Sequence, residues 1–376
     1  MPKKSHPESL VFHFSIIEDP RIDRGKAHSL IDILVIAICA MLCGADSFVD
    51  FEEFGEAKKD FLKSFLELPH GIPSHDTFRR VFALLDPTQF ADCFRNWSES
   101  LRRTINAEIV AIDGKTLRRS HDRANGNGPI HMVSAWAREN GLVLGQIKVD
   151  DKSNEITAIP QLIRALNLKG CIVTIDAMGC QTKIAAEIAN AKADYVLSLK
   201  GNQSTLHDEV KTFFEECVAG DFSGVSYDYL ETKERIHGRI ETRRFSVSNE
   251  IEWLTHHDQW KNIRCLGMVE SIREIQGKVT TERRFFIASI AADAKVFARA
   301  VRGHWAIENT LHWSLDVNFA EDQCRARYGY AAQNFAVLRH MAINILKGET
   351  TKKRGIKGKQ KNASWDHSYL LTLLRF

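Results

Sequence analysis

Between Glu108 and Lys200 short β-branched runs alternate with stretches of helical periodicity, and that order constrains the fold more than any other feature of the chain. IVAID reads as a strand that ends in a carboxylate and is followed by Gly114. HMVSAWAR and LVLGQIKV are two further strands, joined through Glu139, Asn140 and Gly141, whose Asn-Gly pair signals a tight hairpin. Asn154 can cap a helix running to about Leu166. CIVTIDA is the next strand, QTKIAAEIANAKA the next helix and YVLSLK the last strand. The predicted order is β-β-β-α-β-α-β with a meander at its start, so the fold class is α/β with a mixed sheet.

On either side the pattern changes. From Ser29 to Leu42 the apolar residues are too dense for alternation, which predicts a fully buried helix at the heart of a helical unit. In GIPSHDTFRRVFALLDP, Ser74 offers a cap and Pro87 a stop, so Asp76 to Leu85 reads as one short helix. Its Arg79 and Arg80 could meet DNA or form a solvated charged face. Residues 1–103 are therefore expected to form an all-helical N-terminal domain with a DNA-binding role open to it. From Gly201 to about Thr281 the pattern is less regular, with a helix near Leu206 to Val218 and short alternating strands such as RRFSVS and CLGMVES. Residues 201–281 read as an insertion. RFFIAS returns to core strand, and Ala294 to Val317 is a long helical stretch interrupted only by Gly303. The catalytic domain is thus expected over residues 104–200 and 282–346, and no internal repeat is visible.

A chain of 376 residues with 44% hydrophobic content can bury a sizeable core, shared between two or three folding units. The longest uncharged apolar run, Ile33 to Ala45, is too short for a bilayer, and the N-terminus lacks a secretory pattern, so a cytoplasmic protein without membrane partners is expected. Eight cysteines without a CxxC pair are expected to be reduced and packed. The net charge of +3 does not announce a nucleic-acid partner. Its distribution says more: from Lys347 to Lys361 seven Lys or Arg residues face one acid, Glu349. Residues 347–376 therefore read as a basic C-terminal tail, either a mobile arm for phosphates or a solubilising segment.

Asp113 and Asp176 close two of the predicted strands in matched contexts, AIDG and TIDA, at the sheet edge where α/β sites form. Two carboxylates brought close repel unless a cation lies between them, so the pair implies a metal site for hard ions or an acid/base dyad. In HWAIENTLHWSLDVNFAED, His304, Glu308, His312 and Asp316 recur every four residues and form one stripe on a helix. The flanking Trp305, Ile307, Leu311, Trp313 and Leu315 are expected to be buried, which would hold Glu308 at the wall of a cleft. A solvated face with two aromatic anchors is the alternative. A zinc reading through His304 and His312 is the weaker one, because eight residues of helix put them about 12 Å apart, too far for a shared ion.

LIDILVIAICAMLCGAD, GIPSHDTFRRVFALLDP, AIDGKTLR, KSNEITAIPQL, TIDAMGCQ, LKGNQ, HGRIETR, HWAIENTLHWSLDVNFAED and LRHMAINILK together resemble the H-repeat-associated, Rhs-linked group of insertion-sequence transposases of the DDE superfamily. The resemblance covers nearly the whole chain. It implies a ribonuclease-H-like catalytic fold, in agreement with the strand order read above, and it implies that Asp113, Asp176 and Glu308 bind two Mg²⁺ or Mn²⁺ ions. The implied activity is cleavage and strand transfer at element ends. Its partners would be transposon-end and target DNA, with a homo-oligomer acting in the nucleoid. In the wider superfamily the glutamate helix often carries an Arg one turn before the Glu and a Lys two turns after it. Here those positions hold His304 and Leu315, and the nearest arginine is Arg302. Arg302, His304 and His312 are then candidates for phosphate or leaving-group oxygens. Arg239 and Arg243 in HGRIETR, with Lys115 and Lys200 beside the strand ends, are further DNA-contact candidates. A metal-dependent nuclease that never joins, and an inactive DNA-binding remnant, are the alternatives.

Overall fold

The structure, a computed structural model, describes residues 10–23, 26–121, 128–150, 153–236 and 238–374. Lys152 and His237 of the strings quoted above lie outside them. In chain order the elements are α1 (Leu10–Phe14), α2 (Leu30–Leu42), α3 (Phe48–Ala57), α4 (Lys59–Leu62), α5 (His75–Leu84), α6 (Pro87–Leu101), β1 (Ile109–Thr116), β2 (His131–Ala137) and β3 (Leu142–Lys148). They continue through α7 (Glu155–Ala165), β4 (Ile172–Ile175), α8 (Thr182–Asn190), β5 (Asp194–Leu199), α9 (Ser204–Ala219), β6 (Tyr227–Ile236), β7 (Arg239–Ser248), β8 (Cys265–Ile275) and β9 (Lys278–Ala288). The chain closes with α10 (Ala294–Ala306), α11 (Trp313–Phe319), α12 (Ala331–Gly348), α13 (Ile356–Trp365) and α14 (His367–Leu374). Two compact units divide it: residues 1–104, 114–153 and 308–376 form one, and residues 105–113 and 154–307 the other.

The first unit is organised around α12, which packs against α2, α5, α6 and β3. A helix buried on every side needs partners for whatever polar groups it carries, and its two asparagines supply them. Asn334 Nδ2 donates to the Phe82 and Leu85 carbonyls at the end of α5, and Asn344 exchanges hydrogen bonds with both backbone groups of Val143 on β3. Helix α2 is capped by Ser29, whose hydroxyl accepts from the Asp32 amide, and is buried around nearly its whole circumference as expected. Phe335 of α12 stacks on Phe51 of α3 with centroids 5.4 Å apart, one pair in a cluster that includes Phe48, Phe78 and Phe82. The hairpin of β2 and β3 forms as the Asn-Gly pair predicted.

The segment read as a possible mobile basic arm is helical instead. Helices α13 and α14 pack together and against α12 and α2. Lys359 is buried and donates to the carbonyls of Leu346 and Glu349, closing the C-terminus of α12, and Lys347 lies 5.0 Å from the Trp136 ring centre. Apolar residues interleaved with the charges, Ile356, Ala363, Tyr369 and Leu370, carry the packing that the charge run obscured.

In the second unit β1, β4 and β5 are parallel, and β9, β8, β7 and β6 continue from β5 as an antiparallel meander. Helix α10 packs on β4, β5, β6 and β7, with Phe297 among Phe245 and Phe286. Asp293 caps that helix through the amides of Lys295 and Val296. The strands after residue 226 are ten and eleven residues long rather than short, and β6 was not foreseen. Their outer halves are rich in Arg, Lys, Glu and Thr with only scattered apolar residues such as Ile240, Ile272 and Val279, so the hydrophobic pattern is clearest in the inner halves. All eight cysteines are free thiols, as expected. Among the described residues no helix is long and apolar enough to cross a membrane.

His340 on α12 is 2% exposed, and among the described residues neither ring nitrogen has a hydrogen-bond partner. Burial, with the positive neighbours His312, Arg339 and Lys115, pushes its pKa from 6.5 down to about 3. The unfolded chain then holds a proton that the folded chain lacks between those values, so stability is lost as the pH falls through that window. Relative to a His340→Leu variant, the wild type should lose about 1.4 kcal/mol per pH unit below 6, read by urea denaturation at a series of pH values. Parallel pH profiles for the two proteins would refute this.

Candidate active site

Each site aspartate is placed by a buried strand. Ile109–Ile112 of β1 pair in parallel with Ile172–Ile175 of β4, residue for residue, and all eight side chains are at most 2% exposed. The next residue on each strand is an aspartate, Asp113 on one and Asp176 on the other. The two aspartates therefore follow the paired runs at equal positions on neighbouring strands, about 4.8 Å apart at the backbone; β4 ends just before Asp176, whereas β1, expected to end at Asp113, continues to Thr116. Both are half-buried.

The loop after β4 fixes Asp176. Its Oδ1 accepts from the amides of Met178 (3.0 Å) and Gly179 (3.3 Å). Gly179 is required by space: a Cβ there would lie 2.2 Å from Ile175 Cγ2 and 3.3 Å from Ile159 Cδ1. Asn202 and Gln203 of the LKGNQ string, to which the sequence assigned no role, hold the same loop. Asn202 Nδ2 donates to the Ala177 carbonyl at 2.7 Å, and Gln203 Nε2 to the Cys180 carbonyl at 3.0 Å. These positioning residues were missed because side-chain to backbone bonds leave no periodic trace in a sequence.

His304 of α10 stands beside the same strand, its Nδ1 3.3 Å from Thr174 Oγ1. Burial lowers its pKa, the nearby Asp176 charge acting against that, so the ring is neutral at pH 7. Arg302 on the same helix bonds Glu234 Oε1 at 2.5 Å. Arg243 pairs with Glu234 (3.3 Å) and Glu241 (2.8 Å), while Arg239 and Arg273 also pair with Glu241. Four arginines thus share two glutamates. Lys200 follows β5 and is exposed.

The other candidates belong to the first unit. Lys115 is held by Asp316 (2.7 Å), Glu321 (3.2 Å) and Asp322 (3.2 Å), with its side chain 12% exposed. Glu308 is exposed and lies on a π-helical turn, Ile307–His312, and His312 ends that turn, half-buried. The single α-helix expected over 294–317 is therefore interrupted at the glutamate, and wider winding breaks the four-residue stripe. Such turns recur at functional sites. Ile307, Leu311 and Leu315 are buried as expected, but Trp305 and Trp313 are 39% and 55% exposed, so the tryptophans do not wall in the stripe. The structure thus brings Asp113 and Asp176 together, while Glu308 belongs to the other compact unit. Among the described residues no three His, Cys, Asp or Glu side chains gather closely enough to hold a metal ion.

With this geometry in place, comparison with known proteins gives a consistent result. The family model described as "Transposase DDE domain" matches residues 105–345, and that described as "DDE_Tnp_1-associated" matches residues 11–98. The "H repeat-associated putative transposase YhhI" of Escherichia coli (strain K12) is 41% identical over 372 residues, covering 98% of each chain. The "Inactive transposase YbfQ" of the same strain is 45% identical over 74 residues, 20% of this chain and 88% of its own. A piggyBac transposase from a synaptic complex with hairpin DNA aligns with a TM-score of 0.43 at 11% identity, over 97% of this chain and 76% of that chain. The chain belongs to the DDE-domain transposases. Within that class its full-length relatives include the H repeat-associated proteins.

The close approach at Gly179 yields a direct test. Gly179→Ala must displace a stiff β-branched neighbour, at a cost of about 1–3 kcal/mol in chemical denaturation. A variant as stable as the wild type would show that the Asp176 loop is not tightly seated.

Proposed function

We propose that the chain cleaves DNA at the ends of an insertion sequence and joins the freed 3′ ends to target DNA, with Asp113, Asp176 and Glu308 as ligands of two Mg²⁺ or Mn²⁺ ions. The observation that carries this reading is the equal register of Asp113 and Asp176 on neighbouring parallel strands, inside the segment matched as a transposase DDE domain. The donor set fits the ions: carboxylate oxygens are hard ligands, and two of them a strand spacing apart repel until a divalent cation is shared. When bound, such ions supply an activated oxygen nucleophile near neutral pH and stabilise charge on the leaving oxygen.

The protein's own part is positional. The Met178 and Gly179 amides orient one oxygen of Asp176 and leave the other for a ligand, while Asn202 and Gln203 steady the loop. Neutral His304 serves as a hydrogen-bonding group toward DNA rather than a fixed charge. Lys200, Arg239, Arg243, Arg302 and His312 take phosphate contacts. Lys115, already held by three carboxylates, reaches phosphate only by exchanging one of them, so its DNA contact is the weakest of the set.

The parallel β1, β4 and β5, linked through α7 and α8, support reading residues 104–200 and 282–346 as a ribonuclease-H-like core with 201–281 inserted. In the same reading residues 1–103 are a helical DNA-binding domain and 347–376 a basic C-terminal segment. The active species is a homo-oligomer on paired ends in the nucleoid.

A short relative named an inactive transposase favours one second reading, a protein that binds DNA without cutting it. Incubation with end-bearing DNA and Mg²⁺ or Mn²⁺ separates them. Cleavage and joined products are expected, lost with EDTA and reduced to background by Asp113→Ala, Asp176→Ala or Glu308→Ala, each variant still binding DNA in a gel-shift assay. Binding without cleavage in the wild type would establish the second reading, and cleavage without joining a simple nuclease.

A further inference from the structure

Within the first unit, a cavity of ≈ 390 Å³ opens between the start of α3, helix α5 and the loop that precedes α12. Its size falls in the range of small-ligand sites, about 300–1,000 Å³. The floor is apolar, formed by Phe48, Ala331 and Phe335, with the more exposed Val49 at its edge. The rim carries Arg79, Arg325 and Arg327, with Tyr328 beside them. Arg79 is paired with Asp76 at 2.9 Å, whereas Arg325 and Arg327 form no ion pair among the described residues. Tyr328 is 66% exposed and Val49 49% exposed, so a flat apolar ligand has surface to cover at both edges. Asp46 also borders the cavity, as its one carboxylate.

The loop that carries these groups is built to hold one shape. Gly329 has φ +54°, and a Cβ on it would lie 2.4 Å from the Ala83 carbonyl oxygen. The Tyr330 amide donates to that same carbonyl at 3.0 Å, and Arg327 Nε donates to the Arg119 carbonyl at 2.9 Å. A rigid loop presenting arginine and tyrosine over an apolar floor needs a ligand that is both planar and anionic. A free phosphate would leave the floor uncovered, and an uncharged aromatic would leave the guanidinium groups unused. A nucleotide satisfies both.

We propose that this pocket receives one unstacked nucleobase of bound DNA, Tyr328 covering the ring face and Arg325 and Arg79 taking the flanking phosphates. This rests on the reading of the chain as a DNA-binding transposase and adds to it a subsite separate from the carboxylates. Stacking on an aromatic side chain is sequence-tolerant, so the pocket would accept any base.

Fluorescence anisotropy of the full chain with an oligo-dT strand and an abasic strand of equal length tests it, since both carry the same phosphates. The wild type should prefer the base-bearing strand by about five-fold to a hundred-fold. Tyr328→Ala and Val49→Asp, both at exposed positions, should abolish that preference with unchanged thermal melting. Arg325→Ala should weaken binding to both strands and lower the salt slope by about one. Equal binding of the two strands by the wild type, or a preference that survives in Tyr328→Ala and Val49→Asp, overturns the proposal while leaving DNA binding intact. Failure of the wild type to bind any DNA removes the underlying reading as well.

Discussion

The pairing of β1 with β4 is the constraint on which the candidate site depends. Parallel strands offer no turn to fix their register, so register here is set by burial: Ile109, Val110, Ala111 and Ile112 lie opposite Ile172, Val173, Thr174 and Ile175, and none can face water without loss. Each buried Ile or Val among them contributes about 1.5–3 kcal/mol. A slip by one residue would turn every side chain to the opposite face and separate the two aspartates along the edge. The apolar run is therefore the device that brings two like charges side by side, a placement electrostatics alone would oppose.

A second constraint operates in the first unit. Glu321 is 2% exposed and Arg339 fully buried, yet they lie 3.8 Å apart with Lys115 3.2 Å from the glutamate. Burial works against the Lys115 ammonium, but Glu321, Asp316 and Asp322 outweigh it and raise its pKa, so it stays charged. Removing one member of such a cluster strands the rest, which typically costs about 3–5 kcal/mol. Lys115 is also two residues along β1 from Asp113. The chemistry that clamps this lysine makes it a better anchor for the end of the strand than a phosphate ligand, and a sequence cannot distinguish the two because the clamping acids lie some two hundred positions away.

The same separation explains what was and was not legible. Elements specified by local signals were read closely: the buried α2, α5 behind Ser74, the β2–β3 hairpin, and the apolar runs leading to Asp113 and Asp176, although β1 continues past Asp113 to Thr116. The exposed tryptophans, the π-helical turn under Glu308 and the charged strand β6 were not, because burial and winding there are decided by packing partners distant in the chain. The basic tail misled for the opposite reason: its charge run is real, but a few apolar residues at helical spacing are enough to seat it on α12.

The arginines of the second unit that are proposed to contact DNA are already paired with glutamates. Arg239, Arg243, Arg273 and Arg302 share Glu234 and Glu241, so positive charge exceeds negative by two where the chain was expected to meet phosphate. The glutamates hold the long side chains in place before any ligand arrives, which reduces the entropy lost on binding. The pairs are partly exposed, with side-chain exposures of 24–43% for the arginines, so water and salt screen them and exchange of a carboxylate for a phosphate oxygen costs little. A fully neutralised network would repel no phosphate but attract none. On the proposed reading that these arginines meet DNA, the surplus of two charges beside α10 would supply the net attraction and the carboxylates would limit it, which would keep association reversible and sensitive to salt.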